Sequence, residues 1–225
     1  MNHAPATKLP SNDEPWWSTV EEYHDRTNVL LRARPADWAA VERLASEYFE
    51  KAESAYAAAL FSHSRAIALG ALDRDAESLA ADELAERLAP IEPYFKLHVA
   101  SRLIAEYGRP EDGLAKLAET EPVLEADMRP AWLSEKGLGL LAVGRDAEAV
   151  ECFRELSRPD RLTRMRGWDY LGFVDFRLVS RLIVKRLVLD LCVAYLEAAE
   201  AIGARDPNGL TMVHKLLAQA RGTGA

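Results

Sequence analysis

The residues best suited to chemistry in this sequence are its histidines, but their spacing does not build a catalytic or metal site. They are His3, His24, His63, His98 and His214. No two stand four residues apart on one helix face, and none lies in an HExxH motif, the spacings that hold zinc. The sequence also lacks a GxSxG motif, a P-loop and a GxGxxG turn. It therefore predicts no metal, no cofactor and no catalytic residue.

A recurring turn divides the chain at intervals typical of helical repeats. Each copy contains an arginine followed by Asp or Pro, which begins a new helix, and some copies place Gly before the arginine to close the previous helix. Each copy therefore predicts two antiparallel helices joined by a short connection. Whether the arginine itself matters stays open, because arginine is common in this chain. The turn arginines are Arg34, Arg74, Arg109, Arg145 and Arg205, at separations of 40, 35, 36 and 60 residues.

The composition supports an all-α fold. Ala, Leu, Glu and Arg favour helices, and 225 residues with 49% hydrophobic content are enough to bury a large core. A polar segment, 1–13, predicts a disordered tail before one helical domain, 14–221, and a flexible terminus, 222–225. Helices are predicted at about 15–32, 36–54, 56–71, 75–88, 93–107, 110–120, 130–143, 146–157, 170–202 with a possible break, and 207–221.

The segment 130–159 resembles a tetratricopeptide repeat. Small and large residues, a turn glycine and a final proline stand at the expected places, which are Gly137, Leu140, Gly144, Ala149, Phe153 and Pro159. The unit at 94–122 is similar, whereas at 59–90 the residues Ser78 and Asp82 replace the expected Ala and aromatic. We interpret the neighbouring pair Asp82-Glu83 as a solvated helix face. The resemblance implies a right-handed stack of antiparallel helix–turn–helix units.

In such a stack the first helices line a concave groove, which implies a non-catalytic module that binds a peptide or protein. An ordinary packing role for the groove residues stays open. The alternative functions are a protein-specific inhibitor, such as a bacterial immunity or antitoxin-like protein, a subunit of a larger assembly, and a helical enzyme with an unrecognised site. The groove residues implied by the repeat register are His63, Ile67, Phe95, His98, Arg102, Ser134 and Leu138.

The segment 158–188 breaks the repeat and predicts an extra helical insertion. It holds eight cationic and three acidic residues, a net +5, whereas the whole chain carries −8. Arg177, Arg181 and Lys185 recur every four residues and form one stripe on a helix. They either pair with acidic residues of adjacent helices or dock an acidic partner. Nucleic acid is not expected, because aromatic residues do not alternate with the basic ones. A β-hairpin over 171–189 is the alternative fold.

The remaining features indicate an intracellular protein without a membrane span. The most apolar region, 182–196, is interrupted by three charged residues, whereas a spanning helix needs about 20 mostly apolar residues. Cys152 and Cys192 stand far apart in apolar helical patterns, which predicts two reduced core thiols. We therefore expect a cytoplasmic location.

Overall fold

Every regular element in the described part of the chain is helical, which confirms the all-α prediction. The computed structural model describes residues 5–6, 10, 14–33, 35–124, 126–158, 176–202 and 207–222. No helix within these ranges is long and apolar enough to cross a membrane. The helices are α1 Trp17–Arg32, α2 Trp38–Lys51, α3 Ala55–Ala71, α4 Asp75–Leu88, α5 Pro93–Ala105, α6 Pro110–Thr120, α7 Arg129–Ala142, α8 Asp146–Leu156, α9 Phe176–Val184, α10 Leu189–Ile202 and α11 Pro207–Arg221.

The helices begin and end at residues that satisfy their free backbone groups. The Asp37 carboxylate accepts from the Ala40 N–H at 2.9 Å before α2, and the Ser54 hydroxyl accepts from the Ala57 N–H at 3.1 Å before α3. Proline occupies the first position of α5 and of α6, where its missing N–H costs nothing. These local signals explain why most predicted bounds agree with the structure.

The recurring turn closes its preceding helix in the same way in two copies. After α7, Gly144 has φ 77°, and the Arg145 N–H donates to the Leu140 carbonyl at 2.8 Å. After α3, Asp73 takes the same left-handed conformation with φ 57°, and the Arg74 N–H donates to Leu69 at 3.0 Å. This pattern is the Schellman motif, which satisfies carbonyls at a helix end.

At three of the five copies the turn arginine has a consistent role that the sequence had left open, whereas Arg34 and Arg205 lie outside the described residues. Its side chain pairs with the acidic residue three positions later, in the first turn of the next helix. The nitrogen–oxygen distances are 2.8 Å for Arg74–Glu77, 2.7 Å for Arg109–Asp112 and 2.6 Å for Arg145–Glu148. All three pairs are exposed, so they favour the local turn but add little to global stability.

Two compact units divide the described residues, and their boundary runs through α6. The first unit takes in residues up to Tyr107 together with Ala115–Leu124, and the second takes in Gly108–Leu114 and the residues after Leu124. Of the predicted tail, Ala6 is described: its N–H donates to the Leu88 carbonyl at 2.7 Å.

The first unit has a core of aromatic rings from its first three helices. Tyr23, Tyr48 and Phe61 lie with ring centroids 5.0–5.6 Å apart, and all three are buried. Tilted and edge-on contacts at these distances are favourable arrangements for aromatic pairs. Trp16 is buried in the same core, and its ring centroid lies 6.1 Å from that of Tyr56. This aromatic packing joins α1, α2 and α3.

The second unit is packed around α7, α8 and the helices that follow. Trp132, Phe153, Leu178 and Leu182 are almost fully buried. Cys152 and Cys192 are free, buried thiols, in agreement with their predicted core positions. Burial raises the pKa of Cys192 to about 11, which leaves its thiol protonated and unreactive near neutral pH.

The described part of the insertion near 158–188 contains a helix. Residues 176–184 form α9, so a hairpin over that stretch is wrong, and residues 159–175 lie outside the described ranges. The predicted helix 170–202 is interrupted between α9 and α10, where Arg186 adopts φ 57°. The Leu187 N–H donates to the Leu182 carbonyl at 2.9 Å, which closes α9 with the same motif as α3 and α7.

Gly137 provides close packing against α9 rather than within the α7–α8 pair, the place that the repeat resemblance had assigned to it. A Cβ built on Gly137 would lie 3.0 Å from both methyl carbons of Leu178. Leu178 is fully buried, so it has little room to move. We expect Gly137→Ala to lower the free energy of unfolding by about 1–3 kcal/mol in urea denaturation.

Leu178→Ala is the partner for this measurement, because it removes the methyl groups that the new Cβ would meet. The double variant should lose less stability than the sum of the two single losses. Strict additivity would contradict the contact between Gly137 and Leu178.

Candidate functional site

An aromatic and aliphatic surface lies on α3 and α5 of the first unit. Tyr94 and Ile67 are 39% and 41% exposed, and His98 is half-buried. The His98 ring lies 4.4 Å from the Tyr94 ring and 4.3 Å from the His63 ring, centroid to centroid. Ile67 stands one helical turn after His63 on the same face of α3. We call Ile67, Tyr94 and His98 the α3–α5 surface.

A buried ionic network supports this surface from below. Asp82 of α4 is 1% exposed, and its two carboxylate oxygens have different partners. Oδ1 contacts Nδ1 of His63 at 2.7 Å, and Oδ2 accepts from Nε of Arg102. The Arg102 guanidinium also donates to the Ala66 carbonyl at 3.2 Å and to Glu106 at 2.8 Å. The network therefore ties α3, α4 and α5 together with a paired and hydrogen-bonded charge.

Small residues make room for this network. The Ser78 hydroxyl donates to the Ala66 carbonyl at 2.6 Å, the same oxygen that Arg102 reaches. A Cβ on Gly70 would lie 3.0 Å from Nη1 of Arg102, so a larger residue would displace the guanidinium. Gly70 and Ser78 thus allow a full-length arginine to lie between helices.

The hydrogen bonds of His63 indicate which ring nitrogen carries the proton when the ring is neutral. An ionised carboxylate only accepts, so Asp82 places the proton of a neutral His63 on Nδ1. Nε2 then accepts, and the Tyr94 hydroxyl at 3.3 Å is its donor. The Tyr94 oxygen keeps its lone pairs for another molecule. Asp82, His63 and Tyr94 therefore form a chain that presents a hydrogen-bond acceptor at the surface.

Burial sets the charge states of this surface. The pKa of His98 falls to about 4, chiefly because burial disfavours its cation. Burial and the nearby Asp82 raise the pKa of Tyr94, so its hydroxyl stays protonated. Burial opposes the charge of Arg102, but Asp82 and Glu106 outweigh it and raise the Arg102 pKa. At neutral pH the exposed groups of the surface are uncharged and the charges lie beneath them.

The order Asp82–His63–Tyr94 is that of an orienting acid, a base and a nucleophile in hydrolases. Two features oppose that chemistry. A nucleophilic hydroxyl is activated by a base or by a lowered pKa, whereas the Tyr94 pKa is raised. Asp82 is also compensated by Arg102, which weakens its ability to stabilise a histidine cation. The arrangement is better suited to holding Tyr94 in place.

The structure distributes the predicted groove residues between the surface and the interior. Ile67 and His98 reach the surface, whereas His63, Phe95 and Arg102 are buried beneath it. Asp82 is buried too, which corrects its interpretation as part of a solvated face. Tyr94 was missed by sequence reasoning, although it adjoins Phe95. The departure of Ser78 and Asp82 from the repeat pattern was the available signal for the network.

The other predicted contact residues belong to the second unit. Ser134 is buried and Leu138 is half-buried on α7. Arg177 of the basic stripe pairs with Glu135 of α7, and Lys185 pairs with Asp146 of α8 at 2.6 Å. Arg181 is exposed and forms no ion pair with any described residue. Two of the three stripe cations are thus compensated within the unit.

Acidification is expected to destabilise the first unit through His98. Its folded pKa of about 4 lies below the ordinary value of 6.5, so the unfolded state binds more protons between those values. Stability that is present above pH 6.5 is therefore lost as the pH falls towards 4. We measure the free energy of unfolding in urea at pH 7 and at about pH 4.5. Between these two pH values, we expect the free energy of unfolding of His98→Gln to fall by about 2 kcal/mol less than that of the wild type. Parallel pH profiles would contradict the burial of His98.

Neither a metal-binding group nor a known relative identifies the role of this surface. The described residues contain no group of three or more His, Cys, Asp or Glu side chains that could hold a metal ion. Comparisons with protein-family models, with curated proteins and with solved structures find no match for this chain.

Proposed function

We propose that this chain is a non-catalytic protein–protein interaction module that binds a peptide or protein through the α3–α5 surface. One observation carries the proposal: exposed Ile67 and Tyr94 stand beside a buried, hydrogen-bonded network. Binding normally costs the entropy of ordering surface side chains. A ring that is already held by His63 and packed against His98 avoids part of that cost, so it is a favourable anchor for a partner.

The chemistry of the surface defines what the partner must present. Tyrosine is frequent among the residues that dominate binding energy, because one ring offers both apolar area and a polar atom. The Tyr94 oxygen accepts, so the partner supplies an N–H or O–H donor. Ile67 and the neutral His98 call for an apolar side chain next to that donor.

The architecture proposed for this module is a right-handed tetratricopeptide-like stack. The support is local: successive helix pairs are joined by turns of one structure, with Schellman closures and an arginine paired three residues ahead. In such a stack, α3 and α5 would be first helices on the concave side. Two free, buried thiols support a cytoplasmic location for this scaffold.

The α3–α5 surface is preferred over the basic stripe as the partner site. Arg177 and Lys185 already pair with Glu135 and Asp146, so docking an acidic segment there would compete with existing contacts. A site that must break ion pairs gains little from charge attraction. The α3–α5 surface carries no such internal competition at Tyr94 and Ile67.

Photo-crosslinking from the surface tests the proposal. A photoreactive amino acid replaces Ile67 in one variant and Val184 in a second, since Val184 is an exposed aliphatic residue of the second unit. We expect a specific adduct from position 67, which Tyr94→Ala abolishes, and none from position 184. Equal adducts from both positions would show that the surface is not selective. A folded protein as the adduct would favour an inhibitor, whereas a linear segment would favour an adaptor.

A further inference from the structure

A groove between α1 and α2 has the chemistry of a second binding site. It is an open groove with a volume of about 450 Å³. Val29 in its lining is 70% exposed, so it offers apolar area to a ligand. We call this site the α1–α2 groove, and the residues that matter are Arg26, Val29, Leu30, Arg43, Leu44 and Glu47.

The uncompensated charge of the groove is positive. Arg43 is exposed and makes no ion pair with any part of the chain that the structure describes. The one acidic residue of the lining, Glu47, is held by Lys51 at 2.6 Å. Arg26 donates to the Tyr48 hydroxyl at 3.0 Å and approaches Glu22 only to 3.8 Å. A carboxylate entering the groove would thus find one unpaired guanidinium and a second that is weakly paired.

We propose that the α1–α2 groove binds an acidic amphipathic helix of another protein. Its aliphatic side chains would cover Val29 and Leu30, and a carboxylate would pair with Arg43. A helix lying in an apolar groove places anchors at i, i+3, i+4 and i+7, which suits a cleft between two helices. The site uses neither Tyr94 nor Ile67, so it stands independently of the α3–α5 surface.

Charge favours this occupant over two alternatives, which are the N-terminal segment of this chain and a second copy of it. The N-terminal segment 1–13 contains one aspartate and one lysine, so it is not acidic, and its Ala6 is hydrogen-bonded to Leu88. A second copy bound two-fold symmetrically would place this positively charged lining against itself, and like charges oppose such a contact. An acidic segment of a different protein fits the positive groove without these conflicts.

A designed peptide tests the groove on the full-length chain. The probe is a fluorescent helical peptide of about 12 residues, with leucine at i, i+3, i+4 and i+7 and glutamate elsewhere. Two control peptides replace its leucines with serine or its glutamates with lysine. Fluorescence anisotropy measures binding at low and at physiological ionic strength. We expect the probe to bind, with weaker binding at higher salt, and both control peptides to bind at least about tenfold more weakly.

Variants then locate the peptide. Val29→Asp and Arg43→Glu should each weaken binding at least about tenfold, while the same changes at exposed positions of the second unit, Val184→Asp and Arg181→Glu, should have no effect. Unchanged melting temperatures confirm that the variants fold. No binding at about 1 mM peptide, equal binding of the serine peptide, or equal loss in all four variants would each overturn the proposal. A self-association that Val29→Asp abolishes would instead assign the groove to a second copy.

Discussion

Replacing Arg102 with methionine is expected to lower the free energy of unfolding by about 3–5 kcal/mol, the loss typical of one partner removed from a buried ion pair. Methionine fills similar space, so the loss comes from charge rather than volume. Asp82 is 1% exposed, and without Arg102 its carboxylate would keep only His63 as a side-chain partner among the described residues. The Ala66 carbonyl would also lose a donor.

Urea denaturation measures this loss, and Arg145→Met is the matched control. Arg145 makes a bidentate pair with Glu148, but both side chains are exposed, so its removal should leave stability nearly unchanged. The double variant Asp82→Leu/Arg102→Met should recover part of the loss, because it removes the stranded charge together with its former partner. Equal effects of Arg102→Met and Arg145→Met would mean that the network does not stabilise the first unit.

The helices were predictable because their signals are local. The side chains of Ser54 and Asp37 cap helices by accepting from N–H groups three residues ahead. Gly144 ends α7 because it adopts a left-handed backbone conformation. Such contacts depend on neighbouring residues in the chain, so the sequence displays them directly. The break after α9 was harder to predict, since Arg186 takes the left-handed conformation there without a glycine to mark it.

The network beneath the surface was not predictable in the same way. Asp82 precedes Arg102 by 20 residues and follows His63 by 19, so no local window contains a pair. On a helix with charged neighbours, an aspartate is most simply interpreted as solvated. The informative feature was its position: in the repeat register, Ser78 and Asp82 occupy places where a core side chain is expected. A polar residue at a core place predicts a buried partner.

Gly137 illustrates a related limit. The repeat resemblance identified it as a small residue at a close contact, and the structure shows a close contact there. The partner, however, is Leu178 of α9, a helix outside the repeat pattern. A motif within one unit cannot indicate which element outside that unit covers it.

Ile67→Asp is expected to weaken partner binding at least about 30-fold, equivalent to about 2 kcal/mol, as for a residue that dominates an interface. Ile67 is 41% exposed, so the change should leave the fold intact. In the complex, however, a carboxylate would be buried against an apolar group and, with no cation to pair with, would pay a large desolvation cost. Tyr94→Phe should give a smaller loss, because it keeps the ring and removes only the acceptor oxygen.

The dissociation constant of the crosslinked partner, measured for the wild type, Ile67→Asp and Val184→Asp, tests the central claim most directly. Val184 is 73% exposed, so both variants place a carboxylate at an exposed aliphatic position of a helix. If the α3–α5 surface is the binding site, Ile67→Asp loses at least about 30-fold in affinity and Val184→Asp stays within about twofold of the wild type. Wild-type affinity of Ile67→Asp, with its melting temperature unchanged, would contradict the assignment of partner binding to this surface.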